Sequence, residues 1–168
     1  MTIESPLAAL KSVWQASMET DDPPSAIGID LVEVEPLRQL LDAGGPFFVN
    51  AAWTDRERRE ASGQPEALAG KWAAKEAVMK ALQRGIGDID PKDVEIITGP
   101  SGAPGVELHR SARSTAKSRR ITAWSVSVTH EGGWAAAIAL GSDTQSSKRD
   151  QPRTEGPCPT RSDPGAEW

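Results

Sequence analysis

The run Ala26-Ile-Gly-Ile-Asp-Leu-Val-Glu-Val34 is apolar but for Asp30 and Glu33, and it reads as a strand. Pro36 then suits the first turn of a short helix, and Phe47-Phe-Val reads as a buried connector. Thr54-Asp-Arg-Glu57 has the pattern of a capping box: Thr54 can accept from the N3 amide while Glu57 reaches back, so a helix should start there. Pro65 opens the longest helix, predicted to run to about Gln83 and to end at Gly85-Ile-Gly87. Strands are predicted over Val94–Thr98, Val106–His109 and Ile121–Thr129, with a helix over Ser111–Arg119. The last strand should turn through His130-Glu-Gly-Gly133 into Trp134–Leu140, a hairpin by its glycines. The fold class is α+β, a small antiparallel sheet packed by one long central helix.

At about 100° per residue, Leu68, Trp72, Met79 and Gln83 line one stripe of that helix, and Gly70, Ala74, Ala77 and Ala81 line the opposite one. The charges after Glu66 (Lys71, Lys75, Glu76 and Lys80) lie on the two flanks between them. No side is left for solvent alone. For the helix by itself, the plainer reading of Glu76 is an i,i+4 pair with Lys80.

The chain has 168 residues, 38% hydrophobic and 26% charged, with a net charge of −5. That bounds it to one ordinary domain with loose ends. Residues 142–168 are nearly devoid of apolar side chains and rich in proline and charge, so they are expected to stay disordered. Residues 1–25 hold one weak amphipathic stretch, Leu7 to Trp14, before the linker Asp21-Asp-Pro-Pro-Ser25. The expected organisation is an extension over 1–25, a folded domain over 26–141 and a tail over 142–168.

Charge follows the same division. The extension carries −3 and the tail −1, leaving −1 for the body. No basic domain is present to argue for nucleic acid, and no apolar run is long enough to cross a bilayer. One basic run, Arg110 to Arg120, reads as a solvated helix face or as a meeting place for an acidic partner. The single cysteine, Cys158, excludes an internal disulfide, and Met1-Thr-Ile-Glu-Ser5 lacks the marks of a signal peptide. The expected setting is cytoplasmic.

Asp30 puts a charge into a strand that would be more stable without it. It and Glu76, 46 residues apart, can converge on one hard cation. Magnesium takes one or two protein carboxylates and leaves other positions to water and phosphate oxygens. Lys71, Lys75 and Lys80 on the same helix would then neutralise phosphates, a constellation that points to phosphoryl transfer.

Four blocks occur in order: Gly28-Ile-Asp-Leu-Val-Glu-Val34, Thr54-Asp-Arg-Glu57, Gly70-Lys-Trp-Ala-Ala-Lys-Glu-Ala-Val-Met-Lys80 and Ser127-Val-Thr-His-Glu131. Together, from about Ala26 to Leu140, they resemble the holo-acyl-carrier-protein synthases, the short 4′-phosphopantetheinyl transferases. The resemblance implies transfer of the phosphopantetheine arm of coenzyme A to a serine of an apo acyl carrier protein, with release of adenosine 3′,5′-bisphosphate. It places the two magnesium carboxylates on Asp30 and Glu76. It sets Lys75, Lys80 and His130 near the phosphates of coenzyme A, with Glu76, Lys75 and His130 the expected catalytic residues, and Lys71 stays a phosphate contact expected from the helix charges alone. Either Glu76 or a metal-held water would take the proton of the carrier serine. A homotrimer with its sites between subunits is also implied.

Two departures stand out. Where the family carries basic residues that grip the acidic carrier protein, this chain has Glu35-Pro-Leu-Arg-Gln-Leu-Leu-Asp-Ala-Gly-Gly, with Arg38 the one clear cation. The usual Gly-Lys/Arg-Pro turn is Gly102-Ala-Pro104. A non-catalytic protein that keeps the fold and binds carriers is the rival reading. A magnesium-dependent nucleotide hydrolase is a third, and it leaves the Ser127–His130 motif unexplained.

Overall fold

The computed structural model describes residues 26–143. The extension and nearly all of the tail lie outside them. Chain order is β1 (Ala26–Glu33), α1 (Val34–Ala52), α2 (Asp55–Ala61), α3 (Pro65–Ala81), a 3-10 turn (Pro91–Asp93), β2 (Val94–Thr98), β3 (Pro104–Leu108), α4 (Arg110–Ser118), β4 (Ala123–Glu131) and β5 (Trp134–Ser142). The strands form two antiparallel sheets, one ordered β1-β5-β4 and one pairing β2 with β3.

Helix α3 is the centre of the molecule, and eleven of its seventeen residues are buried. Its stripe of small residues faces the three-stranded sheet, whose inward positions on β5 are also small: Ala135, Ala137, Ala139 and Gly141. Two surfaces without long side chains can approach closely, and at Gly28 the approach is at its limit. A Cβ there would stand 1.9 Å from the Ala77 carbonyl oxygen and 2.6 Å from the Ala81 nitrogen. Only glycine lets β1 lie on α3 at this point. The main core gathers Ala73, Ala77, Val78 and Leu82 with Ile89, Val94, Ile96, Ile121 and Ala139. A second cluster packs Leu68 and Ala69 against Leu37, Trp53 and Ala135.

The local signals are realised where they are strongest. Thr54 and Glu57 form both bonds of the capping box. Gly132 and Gly133, at φ 57° and 82°, close the β4–β5 hairpin in the left-handed region that its tight turn requires. The expected helices over 65–83 and 111–119 are found within two residues of their bounds.

The connector expected at Phe47-Phe-Val is a correction. Helix α1 breaks at Gly45 (φ 52°, ψ −150°), and Pro46 restarts it, so Phe47–Val49 are helical. Phe48 turns inward to stack edge-on against Trp53 at 5.7 Å, while Phe47, one residue round the helix, is 87% exposed. Of the tryptophans, Trp53 is buried and stacks on Trp72 at 5.5 Å, but Trp134 is 40% exposed. It shares the outer face of the sheet with exposed Ile27, Ile29 and Leu31.

Candidate active site

Asp30 sits in the middle of β1 opposite Ala137, on the strand face turned to α3. Its side chain is 13% exposed, and its Oδ1 accepts from Lys80 Nζ at 2.6 Å. Glu76 lies one turn before Lys80, and residues four apart on a helix share a face. Burial pushes the Glu76 carboxyl above its ordinary value; the charge of Asp30 adds to this and that of Lys80 opposes it. The two carboxylates are thus close enough to repel one another. Lys80 is the cation that holds them together.

The junction is set by the backbone. Glycine at position 28 brings β1 down onto the 77–81 turn of α3, and Asp30, two residues on, points the same way. The signal for this in sequence is a glycine two before a charged residue in an otherwise apolar strand.

The fourth polar group comes from β4. His130 Nε2 pairs with the Glu66 carbonyl oxygen at 2.9 Å, near the start of α3. The ring lies over Gly70, where a Cβ would come within 2.8 Å of Nε2. Gly70 is about 9 Å along the helix axis from Glu76, at 1.5 Å per residue. His130 therefore packs over the first turns of α3, and Lys80 lies in its last turn.

Lys71 and Lys75, expected to meet phosphates, are bound here to groups within the protein and do not meet Asp30. Lys75 is wholly buried, its Nζ 2.8 Å from Glu57 Oε2 and donating to the Pro91 and Val94 carbonyls at 2.7 and 2.6 Å. An ammonium has three protons, and all three are engaged. Burial draws the Lys75 pKa down, against the pull of Glu57. Lys71 Nζ donates to Glu60 Oε2 at 2.8 Å and to the Ile96 carbonyl at 2.6 Å. Burial would raise the Glu60 carboxyl, yet bonds from Lys71 and Thr98 outweigh it and hold it at about 2. The reason is angular. Lys71 and Lys75 are four apart and face β2, whereas Glu76 is 100° further round and faces β1. Glu57, whose Oε1 also accepts from the Ile96 amide at 2.8 Å, is the partner that sequence reading assigned only to a cap.

Arg38, the cation expected to grip a carrier protein, is held between Glu35 at 3.4 Å and Glu66 at 2.9 Å. Elsewhere, Glu95, Glu107 and His109 bring ligand atoms within 4.8 Å of one another. Their charges already have partners: Glu95 accepts from Thr54 and pairs with His109, and Glu107 meets Arg56.

Residues 26–139 match the 4'-phosphopantetheinyl transferase superfamily. The chain is 39% identical over 117 residues to a holo-[acyl-carrier-protein] synthase of Alkaliphilus metalliredigens, covering 68% of this chain and 95% of that one. Its fold is similar to the crystal structure of the Helicobacter pylori holo-[acyl-carrier-protein] synthase in complex with coenzyme A. There the TM-score is 0.64 at 28% identity, over 69% of this chain and 99% of the other. The acyl carrier protein synthase of Mycobacterium tuberculosis gives a TM-score of 0.56 at 34% identity, over 70% and 96%. The fold is that of a phosphopantetheinyl transferase. Within that class the chain belongs to the holo-[acyl-carrier-protein] synthase family and is an enzyme.

Proposed function

We propose that the protein transfers 4′-phosphopantetheine from coenzyme A to a serine hydroxyl of an apo acyl carrier protein and releases adenosine 3′,5′-bisphosphate, in a magnesium-dependent reaction. The observation that carries this reading is the meeting of Asp30 and Glu76 beside Lys80. Two carboxylates that repel one another at a partly exposed junction are a donor set for a small hard cation, which fits magnesium. Asp30 and Glu76 would hold it. When bound, it supplies positive charge to the pyrophosphate and to the departing phosphate.

The remaining roles belong to the chain's own groups. The serine oxygen forms a bond to the β-phosphorus of coenzyme A, the bond to the bridging oxygen breaks, and the nucleotide leaves with that oxygen. Lys80, half exposed, can swing from Asp30 to the phosphates and offset the charge that develops on them. His130 is held by the Glu66 carbonyl through one ring nitrogen, so the other is left to face a nucleotide phosphate. Either Glu76 or a water held at the cation would accept the serine proton. Lys75 and Lys71 act from behind, holding α3 to β2.

We read the protein as a cytoplasmic enzyme of lipid building and as a homotrimer. Support for the assembly comes from the outer sheet face: Ile27, Ile29, Leu31 and Trp134 form an exposed apolar row that a second copy would cover. Among the described residues, no helix is long and apolar enough to cross a membrane.

The deciding experiment is the intact mass of a panel of apo acyl carrier proteins after incubation with the full chain, coenzyme A and magnesium. A gain of one phosphopantetheine, lost with EDTA, is expected. Coenzyme A that binds while no carrier gains mass would sink the transfer reading in favour of a carrier-binding protein without chemistry.

A further inference from the structure

Five cations, Arg110, Arg113, Lys117, Arg119 and Arg120, fall within eleven residues that contain no carboxylate. They sit on α4 and the turn after it. The helix buries Ala112 and Ala116 and exposes Arg113, Ser114, Lys117 and Ser118, and Arg120 is exposed just beyond its end. Arg110 meets Asp93 at 3.3 Å. Arg113 donates its Nε to the Leu108 carbonyl and gains no counter-charge from it. Lys117, Arg119 and Arg120 form no ion pair among the described residues. Like charges three and four apart weaken a helix, and a tethered counter-charge would relieve that strain.

Packing sets where such a counter-charge can come from. Ile121, the residue after Arg120, donates its amide to the Ala116 carbonyl at 2.9 Å. Its side chain covers Gly141, where a Cβ would stand 2.7 Å from Ile121 Cγ2. Gly141 is the register partner of Ala26 on β1, and Ala26 shares one core cluster with Ala112, Ala116 and Ile121. β1 therefore begins beside the C-terminal end of α4, one strand spacing of about 5 Å from the residue that Ile121 covers.

The sequence ahead of Ala26, which lies outside the described residues, has the opposite sign. Glu19, Asp21 and Asp22 fall within four positions, and residues 1–25 together carry −3. Asp22 is four residues from Ala26 and Glu19 is seven, so spans of up to about 14 and 25 Å are open to them. Helix α4 has nine residues and is about 13.5 Å long. All of its exposed cations are within reach. The segment after β5 leaves from the same end, but residues 142–168 mix four basic with five acidic side chains and offer no comparable run.

We propose that Glu19, Asp21 and Asp22 dock on the exposed face of α4 as a clasp within the chain, pairing with Arg113, Lys117 and Arg120. Guanidinium groups pair with carboxylates through parallel N–H bonds, and Ser114 and Ser118 leave room between them. A partner tethered a few residues away acts at a millimolar effective concentration, so pairs too weak to join separate molecules are populated here. The clasp fixes the start of β1, an edge strand in the order β1-β5-β4 and the strand that carries Gly28 and Asp30. It stands apart from the transfer reading and needs no substrate.

The test is zero-length carbodiimide cross-linking of the full chain, which joins a carboxylate to an ammonium in contact with it, read by peptide mass spectrometry. Lys117 should be joined to Glu19, Asp21 or Asp22 of the same chain, with a yield that falls about fivefold or more between about 50 and 500 mM salt. Arg113→Gln with Arg120→Gln should lower the yield as well, although Lys117 keeps its amine. In a second measurement, Glu19→Gln, Asp21→Asn and Asp22→Asn together should uncover the face and tighten binding of an oligoaspartate peptide about fivefold or more. These three positions lie ahead of the folded domain, so misfolding does not confuse the result. Lys117 left unlinked to residues 19–22 overturns the clasp. So does a link only to a carboxylate of residues 142–168, or only to a second, isotope-labelled chain in a mixed sample. A yield indifferent to salt and to the arginine substitutions, or a peptide affinity unmoved by the triple variant, overturns it equally.

Discussion

Lys80 Nζ and Asp30 Oδ1 are 2.6 Å apart, a bond between the central helix and the first strand across 50 residues of chain. It takes the place of the i,i+4 pair with Glu76 that the helix alone would offer. The consequence is a carboxylate pair held by a movable cation. Replacing Lys80 by alanine should slow transfer by a factor of about 10² to 10³, since a charge aimed at the developing phosphate charge is lost. Stability should change by less than about 1 kcal/mol, as expected for a side chain 52% exposed. Steady-state kinetics with chemical denaturation checks both; a fully active variant would remove Lys80 from the site.

Lys75→Met should behave the opposite way at first measurement. It strands Glu57 in the core without its cation, at a cost of about 3–5 kcal/mol. The loss should appear in the denaturation midpoint before any kinetic effect is read. A variant that folds as well as the parent but cannot use coenzyme A would return Lys75 to the phosphates.

Glu76→Gln should abolish magnesium-dependent transfer and yet make the metal-free protein slightly more stable at neutral pH. The folded-state pKa of Glu76 is raised, so its favourable contribution is present at low pH and lost as pH rises through that pKa. Glutamine removes the charge that does the harm. We expect a higher melting temperature at pH 7, with the difference closing as pH falls to 4.5, the ordinary value for glutamate. Calorimetry without metal across pH 4 to 8 tests the sign, and a lower melting temperature at pH 7 would contradict it.

Glu60 titrates in the other direction. Its pKa is depressed from 4.5 to about 2, so its stabilisation is present above pH 4.5 and is lost as pH falls towards 2. Glu60→Gln should cost about 1 kcal/mol at pH 7, after allowance for solvent around a partly exposed group. Denaturation of the two proteins should converge only as pH falls to about 2.

Gly28→Ala should damage fold and site together. With a Cβ 1.9 Å from the Ala77 carbonyl, β1 must lift from α3, at about 1–3 kcal/mol or more. Asp30 would then separate from Glu76. Magnesium titration of the variant, followed by calorimetry, should show affinity falling along with the melting temperature.

Much of this was legible along the chain because it depends on neighbours in sequence. Alternation, the Thr54–Glu57 cap, the glycine pair at 132–133 and the small-residue stripe of 65–81 are local, and the elements they predict form. The division of the α3 charges between two flanks was also visible, since helical angle follows from residue number alone. Which flank faces Asp30 on β1 was not. That depends on β1 lying against one side of α3 and β2 against the other, so only the tertiary structure could send Lys71 and Lys75 to backbone carbonyls and Lys80 to Asp30. The same limit applies to Arg38, neutralised by Glu66 from 28 residues away. Local spacing determined which residue types share a face, and packing between distant elements decided which of those faces meet one another and which are sealed in the core.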